Sequence, residues 1–270
     1  MGESAGAPPN GAAAGHRPLL ATLSSGEIEL RGRLPWSSNA TFLVAVRPPP
    51  GVPGPTTRRP AKGARSPEPG GGAPPVLAIY KPARGERPLW DFPRGLWKRE
   101  VAAYELSRFL GWGIVPPTTA RPDGPLGPGS LQYFVDALFD EHYFTLLETP
   151  DHRRDLRRIA VFDVVANNAD RKSGHCLIDR EGHIWGIDHG LCFHAEPKLR
   201  TVIWDFAGEK IEKDLLASLG TMAAGSVPEA LTRLLGDEEI GALRARAAAL
   251  LASARFPEPS ADFPYPWPLV

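Results

Sequence analysis

Apolar and polar positions alternate with a period near two over residues 26–34, 41–46 and 76–80, each bounded by turn residues, and this predicts three strands early in the chain. The period then lengthens. Over residues 97–110, Val101, Tyr104, Leu106 and Leu110 recur at helical spacing, and Gly111 and Gly113 close the helix before Val115-Pro116-Pro117. Residues 131–135 read as a further buried strand and 155–166 as a helix. Residues 176–179 and 184–188 read as the two arms of a hairpin turning at Glu181-Gly182. Helical patterns follow from 209, 228 and 238. A strand-rich first half and a helix-rich second half predict an α+β protein of two lobes.

Three stretches have too little to bury. Residues 1–17 are mostly Ala, Gly and Pro, residues 48–75 are dominated by Pro and Gly, and the chain beyond Phe256 is rich in Pro. The expected organisation is therefore a disordered tail over 1–17, a first lobe over 18–135 with a disordered insertion at 48–75, a second lobe over 136–256 and a Pro-rich tail over 257–270. The chain of 270 residues holds 31 basic and 31 acidic side chains, and this balance removes any general electrostatic case for nucleic acid as a partner. Two cysteines, Cys176 and Cys192, cannot form a disulfide framework. With no apolar run long enough for a membrane span and no signal-peptide pattern, a cytoplasmic location is expected.

The densest polar cluster is Asn167-Asn168-Ala169-Asp170-Arg171-Lys172-Ser173-Gly174-His175, and it is followed after a hairpin by Asp188-His189-Gly190. A carboxylate at a helix end and a second beyond a hairpin suit phosphoryl transfer, which needs one group to orient the attacking hydroxyl and another to hold Mg²⁺ against the phosphates. Such chemistry also requires a cation on a strand of the first lobe, tied to a carboxylate on the next helix. Lys81, one of seven lysines, ends the strand Leu77-Ala78-Ile79-Tyr80; Glu100 could pair with it, with Glu86 as competitor. Ser37, Ser38 and Asn39 lie in a turn between two strands, where backbone N–H groups could cover a phosphate. His175, Cys176, His189, Cys192 and His194 lack zinc-type spacing, and the cysteines are expected as small buried apolar residues.

Asn168-Ala169-Asp170-Arg171, with Ile187-Asp188-His189-Gly190-Leu191-Cys192-Phe193, resembles the catalytic loop and metal-binding segment of the phosphatidylinositol 3- and 4-kinase-like superfamily, especially type II phosphatidylinositol 4-kinases and HipA-type serine kinases. Arg99-Glu100-Val101-Ala102-Ala103-Tyr104-Glu105-Leu106-Ser107, Val115-Pro116-Pro117-Thr118 and Gln132-Tyr133-Phe134-Val135 resemble their helix, following turn and hinge. The chain is also similar to a small actinobacterial group with this domain. The resemblance implies a two-lobed atypical protein-kinase-like fold that uses ATP and Mg²⁺ and transfers the γ-phosphoryl group to an unidentified hydroxyl acceptor: a lipid headgroup, a small molecule or a protein serine. It implies Lys81 on the ATP phosphates, Gln132, Phe134 and Val135 beside adenine, Asp170 with Arg171 as catalytic groups, and Asp188 as metal ligand. His175 stands where these kinases usually place an asparagine for the second metal, and a neutral imidazole suits hard Mg²⁺ poorly. That departure leaves two alternatives: a pseudokinase that binds nucleotide or a partner without turnover, or an enzyme that transfers AMP.

Overall fold

The computed structural model describes residues 16–35, 37, 39–52, 73–259 and 263–270; Ser38, residues 1–15 and residues 53–72 of the expected insertion lie outside the described residues. The chain divides into two compact units, one taking the residues up to Pro82 with Pro117–Phe134, the other Ala83–Pro116 with Val135–Val270.

The first unit is a helix on a sheet. Strands β1 (Glu27–Arg33), β2 (Phe42–Arg47), β3 (Val76–Pro82), β4 (Thr118–Arg121) and β5 (Gly129–Tyr133) pair antiparallel in the order β1-β2-β3-β5-β4. Strict alternation decides the faces of β3, with Val76, Ala78 and Tyr80 turned into the core and Leu77, Ile79 and Lys81 less covered. On the core face sits α1 (Arg17–Ser25), whose Leu19 and Leu23 pack with Val44, Val46, Tyr80 and Leu131. This helix was not expected, because the pattern Leu19-x-x-x-Leu23 is too short to stand out beside an Ala- and Pro-rich stretch; Pro18 in its first turn is the signal that could have found it. β4 was also missed. It is stabilised by Arg121, buried at its end, which donates to the carbonyls of Leu23 and Gly26 and pairs with Asp123.

The second unit begins with α2 (Leu96–Phe109), which buries residues all round, including Arg99 and Glu100. The sequence places this helix within the first lobe; in the structure it groups with the second unit, because its polar side chains bond there. Arg99 donates to the Cys192 carbonyl and pairs with Glu239, and Glu100 accepts from the His189 backbone N–H. There follow α3 (Tyr143–Leu147), α4 (Arg153–Ala166), the hairpin β6 (Cys176–Ile178) and β7 (Ile184–Gly186), α5 (Lys213–Ala223), α6 (Glu229–Thr232) and α7 (Asp237–Ser253). Part of the expected Pro-rich tail is anchored: the Pro264 carbonyl accepts from Thr201 N–H and the Leu269 carbonyl from Ser173 N–H. Leu131 has no exposed surface, so Leu131→Ala is expected to destabilise the first unit by about 2–5 kcal/mol, measured as a shift in its denaturant midpoint.

Candidate active site

The helix α4 ends because Asn167 takes the left-handed conformation (φ 54°), and its amide then holds the return chain: it donates to the carbonyls of His194 and Glu196 and accepts from Lys198 N–H. The next residue is tied down as well. Asn168 donates to Asp163 Oδ1 and accepts from the Asp170 N–H at 3.0 Å, which fixes the start of the loop that carries Asp170.

Arg171 has no exposed surface and all of its guanidinium nitrogens are engaged. Nε and Nη2 form a two-pronged bond with the equally buried Asp163, Nη1 reaches the carbonyls of His175 and Ile187, and Nη2 also lies 2.8 Å from His189 Nε2. Burial pulls the Arg171 pKa down, but the Asp163 carboxylate more than reverses this and leaves it raised. The expectation of Arg171 as a catalytic group is therefore corrected: enclosed on every side, it holds the Asp170 loop and the β7–Asp188 segment against each other and faces no solvent.

The two aspartates are held differently. Burial pushes the Asp170 carboxyl up to about 6, with the Lys172 ammonium opposing the rise and the Asp188 carboxylate adding to it. Lys172 Nζ sits 3.5 Å from Asp170 Oδ2. Asp188 adopts φ 60°, a left-handed conformation uncommon for a side chain of this kind, and its carboxylate is about half exposed at 48%. Strain of this sort persists where the surroundings over-determine it; here the Ile187 carbonyl is held by Arg171 and the His189 N–H by Glu100.

His175 joins the two aspartates. Its Nδ1 lies 3.0 Å from the Asp170 carbonyl and its Nε2 lies 3.4 Å from Asp188 Oδ2. Among the described residues no three His, Cys, Asp or Glu side chains converge as a metal cage. Mg²⁺ does not need one, because it keeps several waters and binds through one or two carboxylates plus substrate phosphates. An exposed Asp188 carboxylate and an Asp170 carboxyl whose charge is resisted by its surroundings fit such a cation.

The remaining expected residues are placed as follows. Glu86 is not free for Lys81: its carboxylate accepts from Gly95 N–H at 2.9 Å and Trp97 N–H at 2.8 Å, capping the start of α2. Glu100 is buried on α2 against His189. Lys81 is the last residue but one of β3, opposite Ser130 of β5. Gln132 lies in β5 with its amide donating to Thr118 Oγ1, Phe134 N–H continues the ladder to the Leu77 carbonyl, and Val135 is buried in the second unit. Ser37 and Asn39 fall in the β1–β2 turn, closed by the Leu34 N–H on the Thr41 carbonyl. Cys176 and Cys192 are buried thiols, with burial pushing Cys176 up to about 12 and Cys192 upward as well. Sequence reasoning missed Asp163, whose signal was an aspartate on the apolar face of α4.

A five-stranded antiparallel sheet followed by a helical unit that carries paired aspartates on a loop and beyond a hairpin defines a kinase-like α+β protein. The family described as phosphatidylinositol 3- and 4-kinase matches residues 101–215. Protein Rv2133c of Mycobacterium tuberculosis is 40% identical over 285 residues, covering 92% of this chain and 94% of its own length. Phosphatidylinositol 4-kinase gamma 4 of Oryza sativa subsp. japonica is 27% identical over 187 residues, which is 55% of this chain and 33% of the rice protein. A solved structure of hydra Fam20 with sugar shares the fold at a TM-score of 0.51 and 13% identity, covering 87% of each chain. The chain belongs to the same family as Rv2133c, and its residues 101–215 are similar to the phosphatidylinositol 3- and 4-kinase domain.

Because the folded Asp170 carboxyl has its pKa raised to about 6, the native state holds a proton that the unfolded chain releases near pH 4, and this site's contribution to stability falls as pH rises from 4 through 6. Asp170→Asn is expected to be more stable than the wild type at pH 7.5 by about 1–2 kcal/mol, the value reduced for partial exposure, with the difference vanishing below pH 4 in urea titrations. Arg171→Ala, which leaves Asp163 buried without its partner, is expected to cost about 3–5 kcal/mol in the same measurement.

Proposed function

We propose that the chain transfers the γ-phosphoryl group of ATP, with Mg²⁺, to a hydroxyl-bearing acceptor. The observation that carries this reading is that Asp170 and Asp188, 18 residues apart in sequence, lie near enough for the Asp188 carboxylate to push the Asp170 carboxyl up, with His175 bonding the Asp170 main-chain carbonyl and the Asp188 carboxylate. In phosphoryl transfer most of the rate comes from position and charge neutralisation, so a rigid pair of carboxylates is the part a protein must supply.

Asp170 orients the acceptor hydroxyl and takes its proton as the bond to phosphorus forms. A carboxyl with pKa about 6 is suited to that, being largely ionised at neutral pH yet basic enough to hold a proton. Lys172, 3.5 Å from Asp170, offers positive charge beside the transferred group. Asp188 presents its exposed carboxylate as the metal-holding group. Bound Mg²⁺ supplies neutralisation of the phosphate charge. Lys81 is proposed as the cation on the nucleotide phosphates, and since Glu86 caps α2, Glu100 is the carboxylate proposed to fix it. Ser37, Ser38, Asn39, Gln132, Phe134 and Val135 are the proposed nucleotide contacts.

The rice relative carries the name of a phosphatidylinositol kinase, which makes a phosphoinositide headgroup one acceptor to test; a soluble small molecule and a protein serine are the others. Among the described residues no helix is long and apolar enough to cross a membrane. One observation favours a second reading, nucleotide binding without turnover: His175 Nε2 stands 3.4 Å from Asp188 Oδ2, where a protonated imidazole would compete with a cation for the carboxylate.

Thermal unfolding with and without ATP and Mg²⁺ tests the site directly. The wild type is expected to be stabilised, with the shift reduced in Lys81→Ala and Asp188→Ala; equal shifts in all three proteins would refute the assignment. Labelled phosphate transfer over a panel of acceptors then separates the readings. Asp170→Asn is expected to keep the thermal shift and lose transfer by about 10²–10⁴-fold, and wild-type transfer is expected to fall off below the Asp170 pKa of about 6. Stabilisation by nucleotide with no product from any acceptor would establish the binding module, and label from the α-phosphate in the product would establish AMP transfer.

A further inference from the structure

Residues 263–270 return to the catalytic loop from the far end of the chain. The Pro264 carbonyl accepts from Thr201 N–H at 3.0 Å and from Trp204 Nε1 at 3.1 Å, and the Leu269 carbonyl accepts from Ser173 N–H at 2.9 Å. Thr201 itself bridges to Arg171, whose N–H bonds the Arg200 carbonyl and whose carbonyl accepts from Val202. The segment thus crosses from the strip that supports Arg171 to the turn three residues beyond Asp170. Its side chains divide by alternation: Pro266 is buried and Pro264 partly so, while Phe263, Tyr265 and Trp267 face outward, Trp267 with 89% of its surface exposed.

We propose that residues 263–270 form a strap over the acceptor side of the catalytic loop, and that the strap must lift from Ser173 before a bulky acceptor reaches Asp170. The gating role rests on the phosphotransfer reading; the covering itself does not. Two features make the docked strap displaceable. It is held by backbone carbonyls and a single buried proline, interactions that water and solvent exposure replace at modest cost. Beneath it, the Ser173 hydroxyl is fully buried and has no hydrogen-bond partner among the described residues, a state that becomes more favourable when the turn is opened to water. The outward aromatic rings give a partner a handle by which to hold the strap open.

The test uses the full chain. Ser173→Cys places a thiol at the fully buried position where the strap docks, and the two native cysteines do not interfere, being buried. Labelling of this thiol by a polyethylene glycol maleimide is expected to be slow, and about fivefold to tenfold faster when Pro266→Asp is added to free the strap. Trp204→Phe, which removes one bond to Pro264 and is the milder change, is expected to move the rate in the same direction by a smaller factor. In the chain with Ser173 intact, Pro266→Asp and Trp204→Phe are expected to raise transfer to a bulky acceptor in the same order. Unchanged labelling in both folded variants would overturn the strap. Faster labelling with unchanged, measurable transfer would overturn its gating role. Faster labelling with no transfer in any chain would leave the covering established and count against the phosphotransfer reading.

Discussion

A single buried ion pair organises the second unit. Arg171 and Asp163 have no exposed surface, and a charge so enclosed is tolerable only when its hydrogen-bonding capacity is satisfied. Asp163 answers two guanidinium nitrogens, and the rest of the guanidinium is satisfied by the carbonyls of His175 and Ile187 and by His189. These partners come from three separate stretches of chain: the face of α4, the catalytic loop, and the segment after β7. Satisfying one cation therefore fixes α4, the loop that carries Asp170 and the segment that carries Asp188 against one another.

The exposed groups inherit their positions from that buried network. Asp170 follows Asn168, which Asp163 also holds, and Asp188 lies between a carbonyl bound by Arg171 and an N–H bound by Glu100. The left-handed backbone at Asp188 can persist because both of its neighbours are restrained. Charge accumulates where the cover is thinner: Asp170 resists ionisation, Asp188 faces water, and His175 touches both. Lys172, 3.5 Å from Asp170, places an ammonium beside this carboxyl.

Much of this was legible in the chain. Strands β1, β2 and β3, helices α2, α4 and α7 and the β6–β7 hairpin follow from local periodicity and turn residues, and in β3, α4 and α7 the pattern also marks the buried face. Asp170 and Asp188 stood out because acidic residues flanked by apolar strands demand a partner or a metal. The short helix α1 and strand β4 escaped, as few-residue elements whose stability comes from packing and from Arg121 carry a weak local signal. The sequence also left Glu86 and Glu100 equivalent. Only the fold distinguishes them, by spending Glu86 on two backbone N–H groups at the start of α2.

The sequence by itself determined the elements and the chemistry on offer, because period, turn residues and charged side chains are properties of neighbouring positions. The tertiary structure decided the placements: Arg171 became a buried strut, Asp163 its counter-charge, His175 the link between the Asp170 main chain and the Asp188 carboxylate, and residues 263–270 a segment bonded to Ser173 and Thr201. Burial and long-range hydrogen bonding set these outcomes. Both depend on which distant segments meet, and no local pattern records that.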